Sequence, residues 1–308
     1  MLICDLHCDL PYKVADGRKI RSNEGHFSEE LLKNENTYVQ VFANFVNAKK
    51  HPDCFDYINS MIIKFKELLG TTTDIGLVTD YASLKSNIEN GINSAILSIE
   101  GGEALDGKIE NIEYFYNMGI RFLTLTWNYP NSLGESCKTG DAPLTDFGKE
   151  IVKEMNRIKM FPDVSHLCEK GFWDVYELCD RIPFVATHSN SKKLCGHERN
   201  LTDEQFLAIK QKGGLVGINY CPYFLEDDGE TANVTSILRH IEHFLSLGGE
   251  DIICLGGDLD GVSYLPKGIN NISDVDTIAF ELKKLNYSDN LIAKIMGENT
   301  LEFIQKCF

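Results

Sequence analysis

The stretch "LICDLHCDLP" (residues 2–11) is mostly apolar, then sets an imidazole, His7, two residues before a carboxylate, Asp9. In an extended chain residues two apart share a face, so His7 and Asp9 point together and Cys8 turns away. A strand that ends on such a pair reads in two ways. It is a buried couple in which the carboxylate orients the ring, or it is two ligands at the mouth of a site. The other strand ends decide between them.

The same plan recurs along the chain. Further short apolar runs are "VQVFANFV", "SAILSIE", "RFLTLTW", "FPDVSH", "PFVATHS", "LVGINY" and "DIICLGGD", which with the first make eight strand candidates. Helical periods over 53–69, 107–118, 145–159, 169–180, 202–212, 233–247, 274–286 and 288–306 separate or follow them. Thr145 and Thr202 read as helix N-caps. The stretch from 10 to 37 is polar and has no helical period. Strands alternating with helices predict parallel pairing and a sheet covered on both faces. Eight such units close most economically into a (β/α)8 TIM barrel, with a doubly wound open sheet as the alternative. No GxGxxG or GxxxxGK[ST] loop follows a strand, which weakens a nucleotide-binding reading. With no Pro-, Ser- or Gly-rich linker, residues 1–308 read as a single catalytic barrel domain.

Composition narrows the function. The chain carries 46 Asp and Glu against 30 Lys and Arg, a net charge of −16, which disfavours nucleic acid and anionic membrane as partners. Its ten cysteines form no CxxC pair, and several sit in apolar runs where a thiol acts as a small hydrophobe. Without a basic leader or a long apolar span, the expectation is a reduced, cytoplasmic protein.

In a barrel, catalytic residues come from the C-terminal ends of the strands. Read in order, those ends offer His7 and Asp9, then Glu100 in "SIEGGE", His166 in "DVSH", His188 in "ATHSNS" and Asp258 in "LGGDLDG". A lone strand-end histidine is more often a hydrogen-bonded loop residue, and a lone Glu before Gly-Gly is usually a turn. Three of only eight histidines at these few places is a different matter. Histidine is the commonest metal ligand, and three with two or three carboxylates furnish a two-metal centre. Nitrogen with oxygen suits zinc, with manganese, cobalt or iron also possible. In this reading His7 and Asp9 hold one ion, His166 and His188 the other, and Glu100 offers one oxygen to each. Asp258 is left to handle protons. His26, His51, His240 and His243 read as solvated loop or helix-face residues, and His197 is undecided.

The ordered blocks "HCDLP", "SIEGGEAL", "RFLTLTWN", "LTDFGKEIVKEMNRI", "DVSH", "THSN", "RNLTD" and "GGDLDGV" resemble the membrane dipeptidase (renal dipeptidase) family, the M19 metallopeptidases of the amidohydrolase superfamily. The resemblance covers nearly the whole chain. It implies a two-zinc site in which His7, Asp9 and Glu100 bind one Zn2+ and Glu100, His166 and His188 the other. It also implies Arg199 at the substrate-carboxylate position, Asp258 as acid and base, and a homodimer. Animal members carry a substrate-contacting histidine where this chain has Trp127, so either Trp127 or Asn128 would take that contact or the role is missing and turnover suffers.

The expected reaction is hydrolysis of a dipeptide, with a D-residue tolerated on the C-terminal side. A hydroxide shared by the two metals would attack, since metal binding lowers the pKa of water from about 15.7 to about 7. Asp258 would move the proton to the leaving amine, and Arg199 would pair with the free carboxylate. The alternative is a related binuclear amidohydrolase acting on a cyclic amide, a lactone or another small non-peptide. A scaffold that merely keeps metal is disfavoured, because neither Asp258 nor Arg199 is needed for that.

Overall fold

The computed structural model describes residues 1–22 and 24–308. Its strands are β1 (Leu2–Cys8), β2 (Thr37–Phe45), β3 (Ile75–Leu77), β4 (Asn93–Glu100), β5 (Ile120–Thr124), β6 (Phe161–Asp163), β7 (Val216–Ile218) and β8 (Ile253–Leu255). All pair in parallel. Their order is β6-β5-β4-β2-β1-β8-β7, and β3 pairs with β4 off this path. β3 takes residues 93–95 of β4, ahead of the register with β5 that starts at Leu97. It therefore extends the N-terminal rim and is no member of the ring.

The ring closes through a segment that is hardly a strand. In "PFVATHS", single parallel bridges join Val185 to Asp163 and Ala186 to Val216. Four backbone bonds of 2.8–2.9 Å carry them: Val164 N–H to Val185 O, Val185 N–H to Pro162 O, Ala186 N–H to Leu215 O, and Gly217 N–H to Ala186 O. With this sixth position filled, the fold is a (β/α)8 barrel, as the alternation predicts. Beyond Ala186 the segment keeps one further backbone bond to β7, Ser189 N–H to Gly217 O at 2.8 Å, and packs closely around it. A Cβ at Gly217 or Gly256 would lie 2.0 or 1.9 Å from the Thr187 carbonyl oxygen, so only glycine allows that approach.

One apolar cluster takes a residue from each ring position: Leu6, Val41, Ile96, Phe122, Phe161, Val185, Leu215 and Cys254. That is how a barrel interior fills with side chains. Phe303 and Ile304 of the C-terminal helix pack onto it and leave the opposite end for the site.

Helices α1 (Leu10–Ala15), α2 (Cys54–Leu69), α3 (Tyr81–Glu89), α4 (Glu110–Asn117), α5 (Asp146–Ile158) and α6 (Glu169–Leu178) accompany the first half. α7 (Asp203–Gln211), α8 (Pro222–Leu225), α9 (Val234–Ser246), α10 (Thr277–Lys284), α11 (Asp289–Ala293) and α12 (Asn299–Cys307) follow. Thr145 caps α5 through the Gly148 N–H, and Thr202 forms a capping box with Gln205 on α7. Each such cap satisfies otherwise unpaired N–H groups and contributes about 1 kcal/mol. No helix among the described residues is long and apolar enough to cross a membrane. The expected lack of helix after residue 10 is corrected by α1, which starts beside Pro11 at a position where proline's missing N–H does no harm.

Candidate metal centre

The strand ends converge. His7 Nε2 stands 3.5 Å from Asp9 Oδ2 and 3.7 Å from Glu100 Oε2. The other oxygen of Glu100 lies 3.1 Å from His166 Nε2 and 3.6 Å from His188 Nε2. All five residues are buried. Two ligand atoms about 2.0–2.1 Å from one tetrahedral ion stand about 3.4 Å apart, so the three spacings of 3.5–3.7 Å fit ligand pairs better than hydrogen bonds.

Strand alternation alone does not make the first pair. The β1–β2 register shifts between Asp5 and Cys8, an irregularity of the kind that re-aims side chains beside active sites. Asp9 already lies outside the strand, at the N-cap position of α1.

The ring nitrogens supply a second test of fit. His166 Nδ1 faces Asn128 Oδ1 at 3.1 Å. An amide oxygen only accepts, so His166 carries its proton on Nδ1. His188 Nδ1 lies 2.8 Å from Thr187 Oγ1, whose own proton points to Asp163 Oδ2 at 2.6 Å. His188 is therefore also protonated on Nδ1. Both Nε2 atoms are bare lone pairs, and they stand 3.1 Å apart. Two facing acceptors call for a cation between them. His7 Nε2 fits too, being buried without a hydrogen-bond partner among the described residues.

Electrostatics agrees. Burial, with Arg199 and His7 adding, holds the pKa of His166 and His188 well below the ordinary histidine value, and neutral imidazole is the ligand form. At His7 burial works downward but Glu100 and Asp9 prevail, so its pKa is raised: this corner attracts positive charge. Burial pushes Glu100 up to about 7.

Asp258 shares a cluster with His7 and Asp9 in which the ligand-type atoms lie within 4.8 Å of one another. Burial raises its pKa, which suits proton transfer, and Asn219 Nδ2 donates to its Oδ2 at 3.2 Å. His166 and Asp258 both adopt left-handed backbone, φ 68° and 58°. Non-glycine residues seldom do so, and such strain gathers at functional sites. A Cβ at Gly261 would meet carboxylate oxygens of both Asp258 and Asp9, at 2.1 and 2.3 Å, so the last glycine of "GGDLDG" keeps the two acids in place.

These residues open into a cavity of about 270 Å³. Tyr12, Phe45 and Trp127 form an aromatic wall, with ring centroids 5.4 Å apart for Tyr12 and Phe45 and 4.6 Å for Phe45 and Trp127. Arg199 is buried on the same cavity. Its Nη2 donates to His188 O at 3.2 Å, and its Nε has no partner among the described residues. Trp127 and Asn128 also line the cavity, but the amide oxygen of Asn128 serves His166.

Sequence reasoning misreads His240. It is buried, accepts from Ser191 N–H at Nδ1 and donates from Nε2 to Leu225 O. It braces the loop after the sixth segment against α9, and its helical neighbours hid that role. His26 reaches the site's edge: its Nδ1 accepts from Asp260 N–H, and its own N–H donates to the Asp260 carboxylate, which also grips Arg18. His243 pairs with Asp203, and His51 stacks on Tyr57. Asp163, Thr187 and Asn219, which hold His188 or Asp258 in place, were not foreseen.

The sequence pattern described as membrane dipeptidase (peptidase family M19) matches residues 1–307. A solved metallopeptidase of family M19, dipeptidase AC, is 27% identical with a TM-score of 0.93, covering 100% of this chain and 98% of that one. A metallopeptidase from Rhodobacter sphaeroides, solved with a phosphinate mimic of the dipeptide L-Ala-D-Ala, is 26% identical with a TM-score of 0.93 and covers 100% and 99%. A Klebsiella pneumoniae protein encoded in the pqqA 5' region is 32% identical over 265 residues, 82% of this chain and 97% of that protein. Match and fold agree: the chain belongs to the membrane dipeptidases, peptidase family M19.

Proposed function

We propose that the protein is a zinc-dependent dipeptidase that binds two ions, His7, Asp9 and Glu100 holding one and Glu100, His166 and His188 the other. The observation that carries this is the pair of bare Nε2 atoms 3.1 Å apart beside a shared carboxylate. When bound, the ions supply an acidified water nucleophile and a Lewis acid for the substrate carbonyl.

The chain's own groups do the rest. Asp258, half-buried at the cavity and raised in pKa, takes a proton at its carboxylate and returns it to the leaving amine. Arg199 offers a buried guanidinium with no carboxylate partner among the described residues, matched to the free carboxylate of a dipeptide. Trp127 contributes apolar surface beside Phe45 and Asn128 keeps His166 in register. A cavity of about 270 Å³ falls below the roughly 300–1,000 Å³ of pockets for drug-sized ligands, which suits two residues and excludes a folded chain. The L-Ala-D-Ala mimic in the Rhodobacter sphaeroides structure supports a D-residue on the C-terminal side.

The test is a panel of L,L- and L,D-dipeptides, with and without chelator, beside lactones and cyclic amides. Dipeptide cleavage that stops on chelation and returns with zinc is expected. Intact dipeptides with cleaved lactones would overturn the substrate class, and chelator-insensitive cleavage would overturn the metal reading.

A further inference from the structure

We propose that Asp163 is a positioning residue: acting through the Thr187 hydroxyl, its carboxylate holds His188 in the tautomer that turns a bare Nε2 to the metal centre. The inference rests on the two-metal reading above and assigns a role to two residues outside the ligand set.

Asp163 ends β6 and is fully buried. Its two oxygens divide their work. Oδ1 accepts the backbone N–H of Ser165 at 3.0 Å and of Thr187 at 2.9 Å. Oδ2 accepts the hydroxyls of Thr124 and Thr187, both at 2.6 Å. Ser165 Oγ in turn accepts the His188 N–H at 3.2 Å. One carboxylate thus ties β5, β6 and the sixth segment together, in the place where that segment has only two single bridges to hold it.

The direction of the relay follows from proton counting. A hydroxyl has one proton to give. With a carboxylate at 2.6 Å and a ring nitrogen at 2.8 Å, the Thr187 proton goes to the anion. Thr187 Oγ1 is then an acceptor toward His188, which must present N–H at Nδ1. The lone pair of His188 is left on Nε2, 3.6 Å from Glu100 Oε1. Such outer partners fix ligand tautomers, and removing them typically costs about 10–100-fold in metal affinity.

Asp163→Asn reverses the relay with little change of shape. Two backbone N–H groups point at the Oδ1 position, so the amide oxygen occupies it and the NH2 group falls where Oδ2 stood. That group donates to Thr187 Oγ1, whose proton then turns to His188 Nδ1 and drives the ring proton to Nε2. Thr187→Val removes the relay without reversing it, and Thr187→Ser keeps it.

The experiment combines histidine 15N NMR of the metal-free protein with zinc titration against a chelator, and circular dichroism to establish folding. The expected result is an Nδ1–H His188 in the natural protein and in Thr187→Ser, and an Nε2–H His188 in Asp163→Asn. Second-site zinc affinity should fall at least ~10-fold in Asp163→Asn, less in Thr187→Val, and remain in Thr187→Ser. A His188 still Nδ1–H in a folded Asp163→Asn, or unchanged affinity there, overturns the proposal. If that variant does not fold, Thr187→Val decides: unchanged tautomer and affinity overturn it. Failure of the natural protein to bind two ions overturns the metal reading instead, while the tautomer measurement still judges the relay.

Discussion

Replacing Arg199, a residue only 4% exposed and therefore little screened by water, with alanine removes its guanidinium. One of its N–H groups serves His188 O and its Nε has no partner among the described residues, which leaves donors for a substrate carboxylate. Two charge-assisted hydrogen bonds at about 1.5–3 kcal/mol each bring at least about 3 kcal/mol. That equals roughly 10²-fold in kcat/KM at about 1.4 kcal/mol per decade. The carboxylate takes no part in the bond changes themselves, so the loss should fall mainly on KM, with kcat changed only severalfold. The assay compares a dipeptide with its C-terminal amide. The natural enzyme should prefer the free acid by roughly the same 10²-fold, and Arg199→Ala should erase the preference while keeping its metal. A variant that still prefers the acid would refute the reasoning.

Other consequences are equally checkable. Asp258→Asn should lower kcat by about 10²–10⁴ while metal analysis finds both ions; an empty site would make Asp258 a ligand. Asp260→Ala strands the Arg18 guanidinium, which makes two bonds of 2.5–2.6 Å to the carboxylate. The loss should be about 3 kcal/mol, a fall of about 6 °C or more in Tm at about 2 °C per kcal/mol. Burial lowers His240 to a pKa of about 4, against about 6.5 in the unfolded chain. Between those values the unfolded state binds more protons, so stability should fall by about 3 kcal/mol as pH drops from 6.5 to 4. His240→Gln, which can keep both hydrogen bonds, should flatten that slope in denaturant titrations.

The ring was legible because a parallel barrel strand is buried on both faces and reads as an unbroken apolar run. That logic found "VQVFANFV" and "SAILSIE" with nearly their observed limits. It read "PFVATHS" as a full strand; the segment does take the sixth place in the ring, but through single bridges at Val185 and Ala186, and Gly217 and Gly256 let the neighbouring backbone come close to Thr187. It missed β3, three residues centred on Gly76, because so short a piece has no period. The candidate ligand residues showed through because each stands where an apolar run stops. Their supports did not, since an Asp inside "FPDVSH" or a Thr before His188 looks like any strand residue. Only the fold brings Asp163 Oδ2 to 2.6 Å from Thr187 Oγ1.

β1 and β8 are neighbours, with Asp5 paired to Leu255, so the first and last strands of the ring are stitched side by side. His7 comes from one and Asp258 from just beyond the other. A ribosome releases the second about 250 residues after the first, and until then no partly made chain can assemble the full catalytic set. Turnover therefore reports that the chain has been made at least as far as Asp258 and that the ring has closed.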